Sequence, residues 1–393
     1  MNLADYRRAA RAWLIENASS DDHEAAQDDG VARAKQFMAR LHDAGYSGIT
    51  WPEQWGGQGL TQAEERAFAA EARDFTLPTY VFSIGLGMTG PTILDRGSDA
   101  QRARFLRPLL RGEEIWCQLF SEPGAGSDVA SLQTRAVRDG ARGEGWVVNG
   151  QKVWTSVAQH ADWGLLLTRT DVDVPKHKGL TMFVVDMRHP GVTVRPLKDM
   201  TGRAHFNEIF FDDVPIPDEH RVGEVNDGWS VAVTTLLHER LSISAGVGMG
   251  GQKDNPASVE ALRQAVDTTD PLVRDELVEL HIRTRALALF NQRLAQETKA
   301  GIFPGARGSA AKLLLAELTL YQADLATRLT GPESVVGDHP LSHAISLAPA
   351  MALGGGTNEI MRNIIGDRVL NLPPEPRVDK TVPFKDLKVG TQG

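Results

Sequence analysis

A single cysteine, Cys117, stands in a chain of 393 residues. One thiol rules out an internal disulfide framework and fits a reducing cytoplasm. Cys117 lies in an apolar run, where a free cysteine acts as a small core hydrophobe. Basic residues are also scarce: 42 Lys and Arg face 51 Asp and Glu, for a formal charge of −9. No domain-wide basic face is left for nucleic acid, so an anionic ligand needs a local basic pocket. No apolar run reaches membrane-spanning length. The opening stretch, MNLADYRRAARAWLIENA, patterns as an amphipathic helix without a signal-peptide core. No His/Cys spacing resembles a metal site, and none is expected. Internal repeats and low-complexity tracts are missing too.

What is present is core material. Apolar residues make up 41% of the chain, the content of a soluble globular protein. The length exceeds one typical core, so two or three lobes are expected. Residues 1–113 read as a helical domain, with helical spacing over Val31–Leu41 and an Ala- and Glu-rich stretch at Gln62–Arg73. Trp51–Gly59, WPEQWGGQG, reads as a loop between helices. Residues 114–222 change to short apolar segments between Gly, Pro and Asp, including Leu180–Asp186, Val192–Val194 and Ile209–Phe211. These predict an antiparallel β-barrel or sandwich. Within it, Asn149-Gly150 between Trp146–Val148 and Lys152–Trp154 predicts a hairpin turn. Residues 223–393 return to helix, with long patterns at Leu272–Thr298, Arg307–Leu329 and Thr357–Leu370. Thr357 is a candidate N-cap, with Glu359 placed for the helix dipole. The tail after Leu370 carries Pro373, Pro374 and Pro376 and is expected to be extended, crossing a partner surface. The fold class is therefore α+β in three lobes.

Two glycine patterns mislead. Gly85, Gly87 and Gly90 spell G-x-G-x-x-G, yet Pro91 follows at once and no βαβ unit surrounds them. Gly246, Gly248, Gly250 and Gly251 sit in or after a helix pattern and fail the same context test. Neither pattern is expected to hold a dinucleotide in the Rossmann manner.

The richest stretch is Trp116–Asp128, WCQLFSEPGAGSD. An apolar run ends at Ser121, turns at Glu122-Pro123 and passes Gly124 and Gly126 to Ser127 and Asp128. Proline fixes one backbone angle, so this is a specified turn. Two glycines let backbone N–H groups approach a flat or anionic ligand closely.

Five segments together resemble the acyl-CoA dehydrogenase family. WPEQWGGQG resembles its Trp-Pro…Gly-Gly loop, and WCQLFSEPGAGSD its first flavin motif. NGQKVWTS, Asn149–Ser156, resembles the second. GRAHFNEIFFDDVPIP, Gly202–Pro217, resembles its barrel-closing strand, and GGGTNEIMRNII, Gly354–Ile365, its C-terminal active-site segment. The resemblance implies a helical domain, a middle β-barrel or sandwich and a C-terminal four-helix bundle. It also implies FAD, an acyl-CoA substrate and electron-transfer flavoprotein as acceptor. By position, Gln118, Phe120 and Ser121 are expected to line the flavin ring. Gly126 and Ser127 are expected to offer backbone contacts, with Ser127 also meeting the acyl-CoA. Trp154 is expected to shield one ring face and Ser156 to bond near the reactive edge. Thr357 and Glu359 resemble positions that reach the adenosine part.

The implied reaction removes an α-proton to a base while the β-hydrogen leaves as hydride. It needs a carboxylate at the α-carbon and hydrogen bonds on the thioester oxygen. Most family members carry Glu just before the Gly-Thr of the C-terminal segment; this chain has Gly355 there. Glu239-Arg240 in LLHERLSIS resembles the members, isovaleryl-CoA dehydrogenase among them, whose Glu lies on a helix of the C-terminal lobe. The resemblance thus implies Glu239 as base, a Gly355 N–H on the thioester oxygen, and Arg240 and Gly356 at the substrate. A free Glu carboxylate, with a pKa of about 4.3, is already ionised at neutral pH. The family's Arg-x-x-Phe-Gly motif is absent, and its pyrophosphate loop is altered to TGPESVVGDHPLSHA. Glu-Arg, GGGTNEI and KHKGLTMFVVD look like actinobacterial members, some of which act on sterol side-chain thioesters as α2β2 heterotetramers. A homo-oligomer or such a hetero-oligomer is expected, without membrane or nucleic acid. Two other readings share the fold: an acyl-CoA oxidase, and a non-catalytic subunit of a hetero-oligomeric acyl-CoA dehydrogenase, for which Gly355 speaks.

Overall fold

A computed structural model describes residues 2–18, 28–140, 145–244, 255–302, 305–337, 339–377 and 379–387. The chain forms two compact units. The first comprises Met1–Leu197, Ala204–His238 and Val378–Gly393; the second comprises Lys198–Arg203 and Glu239–Arg377. The glycine cluster at 246–251 lies outside the described residues.

The first unit opens with helices α1 (Leu3–Asn17), α2 (Asp28–Asp43), α3 (Gln62–Ala72), α4 (Gly90–Arg96) and α5 (Asp99–Leu110). Local chemistry sets their starts. Asn2 accepts the Asp5 N–H at the head of α1, and Thr61-Glu64 and Ser98-Gln101 form capping boxes on α3 and α5. Gly85–Thr89 is a π-helical turn running into α4, so the first glycine pattern serves helix packing. A Cβ at Gly90 would sit 2.8 Å from the Trp51 ring.

Eight strands follow: β1 (Trp116–Leu119), β2 (Arg135–Arg138), β3 (Gly145–Ser156), β4 (Trp163–Arg169), β5 (Leu180–Asp186), β6 (Val192–Leu197), β7 (Phe206–Pro217) and β8 (Arg221–Val222). They form one sheet in the order β6-β7-β3-β2-β4-β5-β8, with β1 beside β4. Most pairs are antiparallel; β4 pairs parallel with β1 and, at one position, with β2. Strands β4 and β5 are buried almost throughout, as their unbroken apolar runs demand.

Asn149-Gly150 does not turn the chain. Strand β3 continues through it, and its register on β7 shifts between Val148 and Gly150. Gly150 has φ +150°, and a Cβ there would lie 2.5 Å from Thr134 Oγ1. The glycine permits a close backbone approach beside a bulge, which the turn-forming dipeptide masks in the sequence.

Helix α6 (Gly228–Ser244) leaves the sheet, followed by α7 (Val259–Ala265), α8 (Pro271–Lys299), α9 (Gly308–Thr330), α10 (Pro340–Leu353) and α11 (Asn358–Arg368). Leu262, Leu280, Leu325 and Ala326 are fully buried in the core of this second unit. The tail differs from its expectation. Part of it packs on its own chain: the Phe384 N–H donates to Val174 O at 2.9 Å, and the Lys385 N–H to Val172 O at 3.0 Å.

Candidate functional site

In the first unit, β1 delivers the chain into the turn that follows Phe120. Glu122 and Ala125 exchange backbone hydrogen bonds of 3.1 and 3.0 Å, which closes Glu122–Ala125 tightly. Neither Gly124 nor Gly126 has positive φ, and a Cβ on either would meet nothing within 4 Å. These glycines supply open space outside the turn rather than backbone freedom.

The turn is fastened to β3. Val153 N–H donates to Ser121 O at 2.9 Å, and Lys152 Nζ donates to Phe120 O and to Glu122 Oε1, both at 2.9 Å. Glu122 also accepts the N–H groups of Gln133 at 2.6 Å and Thr134 at 2.9 Å. Lys152 is fully buried and Glu122 nearly so. Burial works against the Glu122 charge, yet Lys152 and the two N–H donors outweigh it and hold its carboxyl below the usual range. For Lys152, burial pulls the ammonium below its usual value despite Glu122. Both residues lie inside the two motifs, but no role for them was expected. The available signal was a Glu at the turn that ends one apolar run and a Lys just before Val153-Trp154.

This pinning brings Gln118, Phe120, Ser121, Gly126, Ser127, Trp154 and Ser156 into one region of the first unit. Gln118 and Ser121 are half-buried, and Gly126 and Ser127 are exposed. The Phe120 side chain is buried in the core. Trp154 is the outlier. It has φ +59°, a conformation that costs a bulky residue free energy, and its indole is 60% exposed. It makes an edge-on contact with Phe206, at 5.8 Å between ring centroids. A strained, exposed indole leaves a flat apolar face open. The neighbouring Thr155 hydroxyl is buried without a hydrogen-bond partner among the described residues. Space, a flat apolar face and an unmet polar atom fit an isoalloxazine ring. Cys117 is fully buried, and burial pushes its thiol well above the ordinary range, so it is a core residue.

The second unit holds the remaining candidates. Glu239 and Arg240 lie half-buried on α6. Burial lowers the Arg240 pKa, with Glu239 opposing and Arg368 adding to the shift. Lys312 on α9 is 1% exposed, and its ammonium has no hydrogen-bond partner among the described residues. Burial lowers its pKa while Glu359 and Glu239 oppose the shift, so both carboxylates lie within its field. Sequence reading missed Lys312; a lysine between small and apolar residues of a helix was its only trace. Thr357 caps α11, accepting the Ile360 N–H at 3.2 Å. Glu359 is exposed in its first turn, its carboxyl lowered by its own backbone N–H and by Thr357. Gly355 and Gly356 take φ +66° and +88°, and a Cβ on Gly356 would meet Met361 Cε at 2.5 Å. That turn favours glycine, which gives the Gly-rich stretch a backbone reason.

Comparison with known proteins assigns the whole arrangement. Residues 3–113 match the acyl-CoA dehydrogenase N-terminal domain, 117–214 the middle domain and 226–370 the C-terminal domain. Acyl-CoA dehydrogenase FadE34 of Mycobacterium tuberculosis is 40% identical over 95% of this chain, which spans 51% of that protein's length. The solved structure of the Tcur3481-Tcur3483 steroid ACAD is similar at a TM-score of 0.79 and 27% identity, over 95% of this chain and 98% of that one. The ChsE4-ChsE5 complex from Mycobacterium tuberculosis is similar at 0.77 and 29%, over 94% and 97%. A helical, β and helical order, two motifs locked together at one turn and three consecutive domain matches agree: the chain belongs to the acyl-CoA dehydrogenase family of oxidoreductases.

Proposed function

We propose that this chain binds FAD and removes one hydrogen from each of the α and β carbons of an acyl-CoA thioester, giving the trans-2-enoyl-CoA. The observation that carries the reading is the Glu122 turn pinned to Lys152 and Val153 beside the exposed, strained Trp154. When bound, the flavin supplies the acceptor for the β-hydrogen. Gln118, Ser121, Gly126, Ser127, Trp154 and Ser156 would hold its ring, with Phe120 contributing backbone, and Thr357 and Glu359 its adenosine part. Glu239 takes the α-proton. The Gly355 N–H bonds the thioester oxygen where negative charge develops, and Arg240, Gly356 and Ser127 orient the substrate.

Electrons pass to electron-transfer flavoprotein, in the cytoplasm. The likeness to a steroid ACAD supports a bulky, steroid-like acyl group. The likeness to the ChsE4-ChsE5 complex supports a paralogous partner in an α2β2 assembly. The purified protein, alone or with its partner, is expected to be yellow and to bleach anaerobically with one of a series of short, branched, long and steroid-like acyl-CoAs. Slow reoxidation in air would exclude the oxidase. A colourless protein, or a yellow one that no acyl-CoA bleaches, would favour the non-catalytic subunit, for which the missing carboxylate at Gly355 speaks.

Trp154→Gly separates ligand platform from core packing. Glycine tolerates φ +59°, so relief of roughly 1 kcal/mol offsets lost packing and the melting temperature stays within a few degrees. FAD affinity, by fluorescence titration of the apoprotein, is expected to fall about tenfold. A large stability loss with unchanged FAD affinity would make Trp154 a core residue.

A further inference from the structure

The Ser127-Asp128 end of the turn is held by groups to which no role has so far been given. Lys176, 5% exposed, places Nζ 2.7 Å from Asp128 and 2.6 Å from Asp379. Asp128 thus joins a residue of the flavin motif to the segment 379–387, through one buried ammonium. Arg169, 1% exposed, donates to Lys176 O at 2.6 Å and to Ala130 O, just past the turn. Its guanidinium lies 3.7 Å from the centre of the Phe384 ring, which is itself buried. The strap is completed by the backbone bonds from Phe384 and Lys385 to Val174 and Val172, and by a 2.7 Å ion pair between Lys385 and Asp173.

Charge makes the strap more than packing. Arg169 lies in the field of Glu122, Asp171 and Asp128. Lys176 pairs with Asp128 from the turn and Asp379 from the tail. Without Asp379 the buried Lys176 ammonium loses one of these two ion-pair partners, and its burial is less well compensated.

We propose that Lys176 is a positioning residue for the Ser127-Asp128 turn, and that residues 379–387 are the strap that holds Lys176 there and so set the affinity of the turn for flavin. This rests on the flavin reading given above. Without Asp379, Lys176 is no longer anchored from the strap side, and the Gly126 and Ser127 backbone, tied through Asp128 to a freer ammonium, loses its fixed presentation to the ring.

The test uses the full chain as Asp379→Asn, Lys176→Met and Lys176→Arg. Amide hydrogen exchange over 122–132 is expected to speed up about tenfold in the first two, with α1 unchanged. FAD titration of the apoproteins is expected to show about tenfold weaker binding, worth about 1.4 kcal/mol, partly restored in Lys176→Arg. Unchanged exchange over the turn would overturn the strap. Faster exchange with unchanged FAD affinity would overturn the positioning role. A wild-type chain that binds no FAD would overturn the flavin reading and with it the positioning role, while the exchange result still decides the strap.

Discussion

Replacing Glu239 with Gln is expected to leave a protein that binds FAD and acyl-CoA but no longer bleaches. The residues proposed to hold the flavin ring, within 118–156, lie in the first unit, and Glu239 is not among them. A positioned general base contributes on the order of 10²–10⁴ in rate, and amide nitrogen cannot take its place. Gln is nearly isosteric, so α6 and the neighbouring field of Lys312 and Arg240 keep their shape. The measurement is anaerobic stopped-flow at the flavin absorbance band, with acyl-CoA affinity followed separately by titration. A fall of at least about a hundredfold in the bleaching rate, with unchanged affinity, is the expected pattern. Bleaching at the wild-type rate would sink the assignment of Glu239 and return the search for a base to other carboxylates.

The largest stability effect is expected at Lys152, within the first unit. Lys152→Met leaves Glu122 charged, buried and short of its cation. Breaking a buried pair from one side costs about 3–5 kcal/mol, or roughly 10 °C in the melting temperature of a unit this size. The Glu122→Gln, Lys152→Met double variant removes both charges and is expected to lose less than the sum of the single changes. The pH dependence has a definite sign. In the wild type the folded Glu122 pKa lies below its unfolded value, so its contribution is present above about pH 4.3 and is lost as pH falls through the folded pKa. In Lys152→Met, burial without the cation lifts the folded pKa above the unfolded one. The variant's deficit should then be greatest at neutral pH and shrink as Glu122 takes up a proton on acidification. Melting curves from pH 7 to pH 5 check this; a deficit independent of pH would mean that Lys152 contributes by packing alone.

Local patterns in the chain spell out a good deal. Apolar spacing and caps such as Thr357 set the helices, and the unbroken run Leu180–Asp186 matches a strand residue for residue. The Glu-Pro-Gly turn and its neighbour motif point to a flavin because their residue order is itself the chemistry: a fixed turn, open glycines and a large flat ring. Those features depend on neighbours a few residues apart, and sequence carries them directly.

The rest depends on partners far apart in the chain. Asn149-Gly150 reads as a hairpin by composition, but Thr134 and β7 make it a bulge in a continuous strand. Glu122 and Lys152 look like ordinary charges until the sheet brings them to 2.9 Å with both side chains buried. The tail reads as a Pro-rich extension, yet the buried cations of Arg169 and Lys176, with backbone bonds to Val172 and Val174, give part of it a place on its own chain. Sequence by itself determined the family, the order of helices and strands, and the motifs on which the flavin proposal rests. Tertiary structure alone decided which charges are buried and paired, because the free energy of a charge is set by what surrounds it, and no single residue carries that information.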